Sequence, residues 1–196
     1  RCQGAEAEVI LTTTDSALTR FANNIIHQNV AERDAELTLR YFIGKQAGSA
    51  TTNRSDAAGL DELAARARAN ALASPADPDY PGLPEPARYT QVAAFDQATA
   101  DYSPQGRAKA VGVVCRIAAE KGLNASGAFS TGESELVIGN TRGVFAYHPS
   151  TNADFQTVVM SDDSSGRAQG SAWRAAEIPV EDLGRQAIQM TERGHN

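Results

Sequence analysis

The sequence predicts an α+β fold built from two similar β-meander-plus-helix repeats, with antiparallel sheets packed against helices. Two observations lead to this prediction. Strand-like runs joined by short turns recur in both halves of the chain, and each set is followed by apolar residues at helical spacing. A stretch with five prolines, residues 74–89, separates the halves and is predicted to be a semi-rigid linker because no helix or central strand tolerates it.

The first half, residues 6–73, begins with an antiparallel meander. The β-branched content and two-residue alternation predict five strands, over residues 6–14, 18–22, 25–32, 37–43 and 46–52. Turns are predicted at Asn23-Asn24, Arg33-Asp34 and Gly44-Lys45, since Asn and Gly accept a positive φ and charged pairs favour solvent. A helix is then predicted over residues 56–73, with Ser55 or Asp56 as its N-cap.

The second half, residues 103–193, opens with a helix over residues 103–122, where Ser103 caps and Pro104 occupies the first helical position. Five strands follow by the same criteria, over residues 125–130, 135–139, 143–148, 154–160 and 166–174. A closing helix is predicted over residues 180–193.

An internal duplication is predicted from matching residues as well as from the similar order of predicted strands and helices in the two halves. Residues 44–50 (GKQAGSA) match residues 166–172 (GRAQGSA), and residues 16–18 match residues 134–136 more loosely. Two such α+β repeats can share one core by packing helix faces on sheet faces.

Composition excludes several classes of function. The formal net charge of -6 disfavours nucleic-acid binding, which depends on basic side chains. No apolar run approaches the roughly 20 residues of a membrane span. The two widely separated cysteines, Cys2 and Cys115, are typical of a reducing cytoplasm. The chain starts at Arg1 and stops just after a helical pattern, so we expect a piece of a longer protein.

The inventory of catalytic motifs is thin. The sequence contains no HExxH or HExxxH for zinc, no CxxC, no GxxxxGK[ST] phosphate loop and no GxSxG nucleophile elbow. We therefore predict no catalytic residue and no metal ligand within this chain.

Polar residues cluster around two related turns and are candidates for contacting a peptide. Amide side chains can bond a peptide backbone, a guanidinium can grip a carboxylate, and two strand histidines occupy related positions. The candidate set is Arg20, Asn23, Asn24, His27, Gln28, Asn140, Arg142 and His148. The alternative for all of them is turn chemistry, solvated charge and histidines bonded to backbone or water.

Three stretches resemble signature blocks of the TldD/PmbA family. They are residues 18–29 (LTRFANNIIHQN), residues 125–132 (ASGAFSTG) and residues 140–148 (NTRGVFAYH). The resemblance covers nearly all of the chain, in the right order, and matches only the amino-terminal domain of that family.

The resemblance implies a cytoplasmic zinc metallopeptidase system, also described as a candidate modulator of DNA gyrase. Its members act on peptides and unfolded chains as homodimers or as heterodimers with a paralogous subunit. The family's HExxxH lies in a carboxy-terminal zinc domain that this chain lacks, so residues 1–196 would be non-catalytic, with zinc elsewhere if the parent is the catalytic paralogue. This part would help to form the dimer and a peptide-binding chamber. The alternative is a stand-alone protein-binding or assembly module with no peptidase role.

Overall fold

The computed structural model describes residues 5–194 and confirms the α+β class. Its strands are β1 (Glu6–Ala22), β2 (Ile25–Ile43), β3 (Gln46–Thr52), β4 (Asn124–Asn140), β5 (Phe145–Met160) and β6 (Ser165–Ala172). Its helices are α1 (Ala57–Ala73), α2 (Gln97–Ala100), α3 (Pro104–Ala119) and α4 (Val180–Arg193), with a single 3₁₀ turn at Ala175–Glu177. The six strands form one sheet in the order β3-β2-β1-β4-β5-β6.

Each half of the sequence therefore supplies three strands, two of them long, rather than the five short strands predicted. The predicted turn at Arg33-Asp34 is wrong, because β2 runs through both residues without a break. Arg33 instead forms an ion pair with Asp15 of β1, at 2.5 Å between Nη2 and Oδ2. A pair of charged residues is therefore not sufficient by itself to identify a turn.

The tight turns, in contrast, were identified correctly. Asn23 and Asn24 both adopt positive φ, at 51° and 62°, and Gly44 does so at 57°. Residues 44–50 and 166–172 are nevertheless not equivalent in place. Gly44 precedes β3 in a turn, whereas Gly166 lies within β6, so the matching letters there do not align the two hairpins.

The chain divides into two compact units that do not coincide with its two halves. Unit 1 consists of residues up to Thr14, Asp34–Ala93 and Ser134–Pro149. Unit 2 consists of Asp15–Arg33, Ala94–Glu133 and the residues from Ser150 onward. Each unit therefore takes segments from both sides of residues 74–89, a stretch without helix or strand.

Unit 1 packs the single helix α1 against β3. The buried core is small and rich in alanine, with Leu39, Tyr41 and Leu63 as its larger members. Gly48 of β3, which pairs with Tyr41, lies directly under the helix. A Cβ at Gly48 would lie 2.1 Å from the main-chain nitrogen of Ala71, so only glycine permits this close approach.

Unit 2 packs α3 and α4 together over a core that contains three phenylalanines. The Phe129 ring meets the Phe155 ring edge-on, with 6.0 Å between ring centroids, and Phe21 stacks parallel to Phe155 at 6.4 Å. Gly166 repeats the role of Gly48, because a Cβ there would lie 2.1 Å from the carbonyl oxygen of Ala187 in α4. Within residues 5–194, no helix has the length and apolar character that a membrane span requires.

Candidate functional site

The candidate site is one face of the sheet in unit 2, and side-chain alternation defines it. Along β5, Phe155 and Val159 are buried in the core with α3 and α4, whereas Asp154 and Gln156 are exposed on the opposite side. We call that side the open sheet face. Its principal polar residues are Arg20, Gln28, Ser130, Asp154, Gln169 and Ser171.

Two hollows lie side by side on the open sheet face. One has a volume of about 550 Å³ and lies along β1 and β2, lined by Gln28 and Glu32 among others. The second has a volume of about 310 Å³ and lies along β4, β5 and β6, lined by Asp154 and Gln169 among others. Arg20 lines both hollows, as do Leu18 and Ser130, so these three residues lie at their junction.

Arg20 is the principal cation of this junction. It is exposed, and its Nη1 donates to Gln28 Oε1 at 3.4 Å, near the limit for a hydrogen bond. Among the residues that the structure describes, no carboxylate forms an ion pair with Arg20. A guanidinium held by one weak amide contact retains most of its donors for an incoming carboxylate or carbonyl oxygen.

Asp154 gives the second hollow an oriented negative charge. The Ser171 hydroxyl donates to Asp154 Oδ1, and Asn152 Nδ2 donates to Oδ2 at 3.1 Å. On β6, Arg167 donates to Gln169 Oε1 at 2.7 Å, which fixes the orientation of that amide. The face thus presents hydroxyls, amides and charges of both signs, a surface suited to hydrogen-bonding an extended main chain.

Asn23 and Asn24 lie at the turn beyond the open sheet face. Asn24 is fully engaged in structure, since its Nδ2 donates to the Leu123 carbonyl and its Oδ1 accepts from the Ala125 amide, both at 2.8 Å. Asn23 is exposed at the same turn. The structure therefore brings Arg20 and Gln28 together, whereas the side-chain amide of Asn24 links its turn to Leu123 and Ala125.

Asn140 and Arg142 belong to unit 1, where they contact a segment of this chain. The side-chain amide of Asn140 donates to the Pro84 carbonyl at 2.9 Å. Arg142 forms ion pairs with Glu6 at 2.6 Å and with Glu85 at 2.9 Å, and these carboxylates hold its pKa above the ordinary value. Both side chains thus bind an extended stretch of the proline-rich segment.

The two histidines of the candidate set lie in different units. His27 is exposed on β2 in unit 2, and His148 is half-buried on β5 in unit 1. Within residues 5–194, no group of three or more His, Cys, Asp or Glu side chains is arranged to hold a metal ion. His195 lies outside the described residues.

Sequence reasoning missed four of the six principal polar residues, which are Ser130, Asp154, Gln169 and Ser171. The signal for the last three was available, because polar residues alternate with apolar ones along β5 and β6. The sequence did not reveal that these strands and β1 form one sheet, which places Arg20 beside them.

Comparison with known proteins places the chain in context. Two family models match it: PmbA/TldA metallopeptidase domain 1 over residues 7–71, and PmbA/TldA metallopeptidase central domain over residues 76–194. No curated protein matches the sequence.

Three solved structures share the fold. A Thermotoga maritima protein described as a candidate modulator of a DNA gyrase has a TM-score of 0.84 at 14% identity, with 96% of this chain and 44% of that one covered. TldE from Thermococcus kodakarensis has a TM-score of 0.84 at 18% identity, covering 95% and 44%. A Bacteroides thetaiotaomicron protein, also described as a candidate gyrase modulator, has a TM-score of 0.80 at 17% identity, covering 98% and 46%. The chain spans less than half the length of each.

Proposed function

The chain belongs to the PmbA/TldD metallopeptidase family, and from that premise we propose that it is the amino-terminal, non-catalytic part of a metallopeptidase subunit. In this proposal it holds extended peptides or unfolded chains while hydrolysis occurs elsewhere in the assembly. The observation that carries the proposal is Arg20 at the junction of the two hollows on the open sheet face.

The chemistry of the open sheet face suits an unfolded chain better than a small rigid ligand. Its hollows are shallow and adjoining, and most of their polar groups are hydroxyls and amides that accept or donate equally well. Such groups bond peptide main chain with little regard to sequence. The strand order also leaves β3 and β6 as the outer strands, where an extended peptide can add by main-chain hydrogen bonds.

The proposal extends to assembly. A metallopeptidase that acts on unfolded chains needs walls that exclude folded proteins, and this part of the subunit would contribute to such a chamber in a homodimer or in a heterodimer with a paralogous subunit. The residues described do not fit a zinc site, so no step of the chemistry is assigned to them. In the proposal, zinc is held by the carboxy-terminal domain of the catalytic paralogue.

Peptide binding by the chain itself tests the proposal. A fluorescent, unstructured peptide with one glutamate should bind the parent chain, and Arg20→Ala should weaken binding about tenfold, as expected for loss of a charge-assisted contact. Arg66→Ala, which removes an exposed arginine on α1, is the matched control and should bind as the parent does. Both variants should unfold at the parent's temperature.

The alternative function predicts a different result. A stand-alone assembly module would bind a folded partner and ignore unstructured peptides. If the peptide fails to bind the parent chain, or if Arg20→Ala binds it equally well, the open sheet face is not the peptide site.

A further inference from the structure

Unit 1 carries an exposed aromatic surface that the proposed function does not use. On β1, Ala7 is buried against α1, whereas Val9, two residues further along the same face, is 36% exposed. On β5, Phe145 is 72% exposed and Tyr147 is 52% exposed. Large aromatic side chains at this exposure are unusual on a sheet face and mark interaction surfaces.

Hydrogen bonds show that these side chains share one face. Glu135 of β4 accepts from the Tyr147 hydroxyl at 2.6 Å and from the Thr13 hydroxyl at 3.1 Å, which joins side chains of β1, β4 and β5. Because side chains alternate along each strand, Val9, Val137 and Phe145 face the same side. We call Val9, Val137, Phe145 and Tyr147, with Glu135 among them, the aromatic patch.

Glu135 is a fixed negative charge within this patch. The two hydroxyl donors stabilise its ionised form and hold the pKa of its carboxyl below the ordinary value. Within residues 5–194, no Lys, Arg or His side chain forms an ion pair with Glu135. The carboxylate is thus ionised and oriented, while its counter-charge is missing from the described part of the chain.

We propose that the aromatic patch docks a protein partner through a basic side chain, arginine in preference to lysine, that lies between apolar residues. A guanidinium can stack on the Phe145 or Tyr147 ring while its planar fork reaches the Glu135 carboxylate. The flanking apolar residues of the partner cover Val9 and Val137. The occupant follows from charge complementarity, since a neutral or acidic surface would bury the Glu135 carboxylate without a counter-charge.

This proposal goes beyond the proposed function and is independent of it. The aromatic patch belongs to unit 1 and has no residue in common with the open sheet face of unit 2. Loss of peptide binding at Arg20 would therefore leave it unaffected.

The test uses the full chain and a short peptide of alternating leucine and serine with one central arginine. The control peptide carries citrulline, a neutral isostere of arginine, at that position. The arginine peptide should bind about tenfold more tightly, the combined effect expected of one cation–π contact and one partly exposed ion pair. Glu135→Gln should abolish that difference, whereas Glu36→Gln, at an exposed carboxylate elsewhere in unit 1, should preserve it.

Phe145→Ser provides a second, independent variant. It should weaken binding of the arginine peptide, whereas Ile25→Ser, at an equally exposed apolar residue of unit 2, should not. Equal binding of the two peptides by the parent chain, or unchanged discrimination by Glu135→Gln, would overturn the proposal. So would sedimentation showing that the chain dimerises and that Phe145→Ser makes it monomeric, because a second copy would then be the occupant.

Discussion

Unit 1 and unit 2 each pack a helix against a strand in the same way, but their hydrophobic cores contain different side chains. In both, a glycine of the strand lets the helix backbone approach directly, Gly48 under α1 and Gly166 under α4. Unit 2 then adds a second helix and three buried phenylalanines, whereas unit 1 relies mainly on small side chains and one helix. The close approach of a helix to a strand and the volume of the core are therefore separate features of each unit. Only the volume of the core decides how much of the sheet face is covered.

The largest loss of stability is expected from substitutions at the two glycines that let a helix backbone approach the strand. Gly48→Ala and Gly166→Ala should each lower the free energy of unfolding by about 3 kcal/mol or more, because the added methyl group collides with helix backbone that cannot move aside. Urea unfolding followed by circular dichroism measures this. Gly112→Ala is the control, since a Cβ there meets no atom within 4 Å and a helical alanine should stabilise by about 0.5–1 kcal/mol. If only one of the two variants is destabilised, the units do not share the device.

A second prediction concerns Arg107, a charged residue that is buried in unit 2. Arg107 is 1% exposed, and it donates to the Thr19 hydroxyl at 3.2 Å, the Thr131 hydroxyl at 3.0 Å and the Tyr102 carbonyl at 2.7 Å. Burial lowers the pKa of its guanidinium. Arg107→Ala should cost about 2–4 kcal/mol, because it leaves a cavity and three polar groups without a donor.

Arg54 of unit 1 is the contrast for Arg107. It pairs with Asp56 and Glu62 at the exposed surface. Arg54→Ala should therefore move the urea midpoint far less than Arg107→Ala. Equal midpoints for the two variants would show that burial does not separate the two arginines.

The smallest effect is expected at the helix caps, where the units differ in chemistry. Ser103 accepts from the Gly106 amide at 3.1 Å at the start of α3, and Ser103→Ala should cost about 1 kcal/mol at any pH. Asp56 caps α1 by accepting from Gly59, and that hydrogen bond, with Arg54, lowers the pKa of its carboxyl below the usual 3.8. The contribution of Asp56 is therefore complete above that value and is lost as pH falls through the lowered pKa.

Acid unfolding distinguishes the two caps. Asp56→Asn keeps a capping oxygen but does not titrate, so its difference from the parent should shrink as the pH falls below 3.8. Ser103→Ala should keep a constant difference from the parent over the same range. A constant difference for Asp56→Asn would mean that the ionised form contributes nothing to capping.

Local signals predicted the turns at Asn23-Asn24 and Gly44-Lys45 and the helices α1, α3 and α4, but they did not predict which distant strands pair. Asn23-Asn24 and the Ser103-Pro104 start are fixed by their own backbone preferences, so neighbours along the chain suffice to identify them. Arg33 and Asp34 have the same local character as turn residues. They lie within a strand because β2 pairs with β1, where Arg33 meets Asp15, 18 residues earlier in sequence.

The residues of the candidate site also divide into those predicted from local sequence and those brought together by strand pairing. Arg20 and Gln28 were predicted together because they flank one turn. Asp154 and Ser171 share their face only through the strand order of the sheet, which no local pattern encodes. Asn140 and Arg142 contact a segment of this chain, since Asn140 donates to the Pro84 carbonyl and Arg142 to the Glu85 carboxylate.

Four strands, β1, β2, β4 and β5, each give residues to both units. The family models divide the sequence near residue 75, yet a cut there would deprive unit 2 of Phe21 and unit 1 of residues 134–149. Neither fragment would contain a complete hydrophobic core, so the domain boundary seen in the sequence is not a suitable site for truncation. Anyone engineering this scaffold should therefore keep both segments in one chain, because four of its strands contribute to both units.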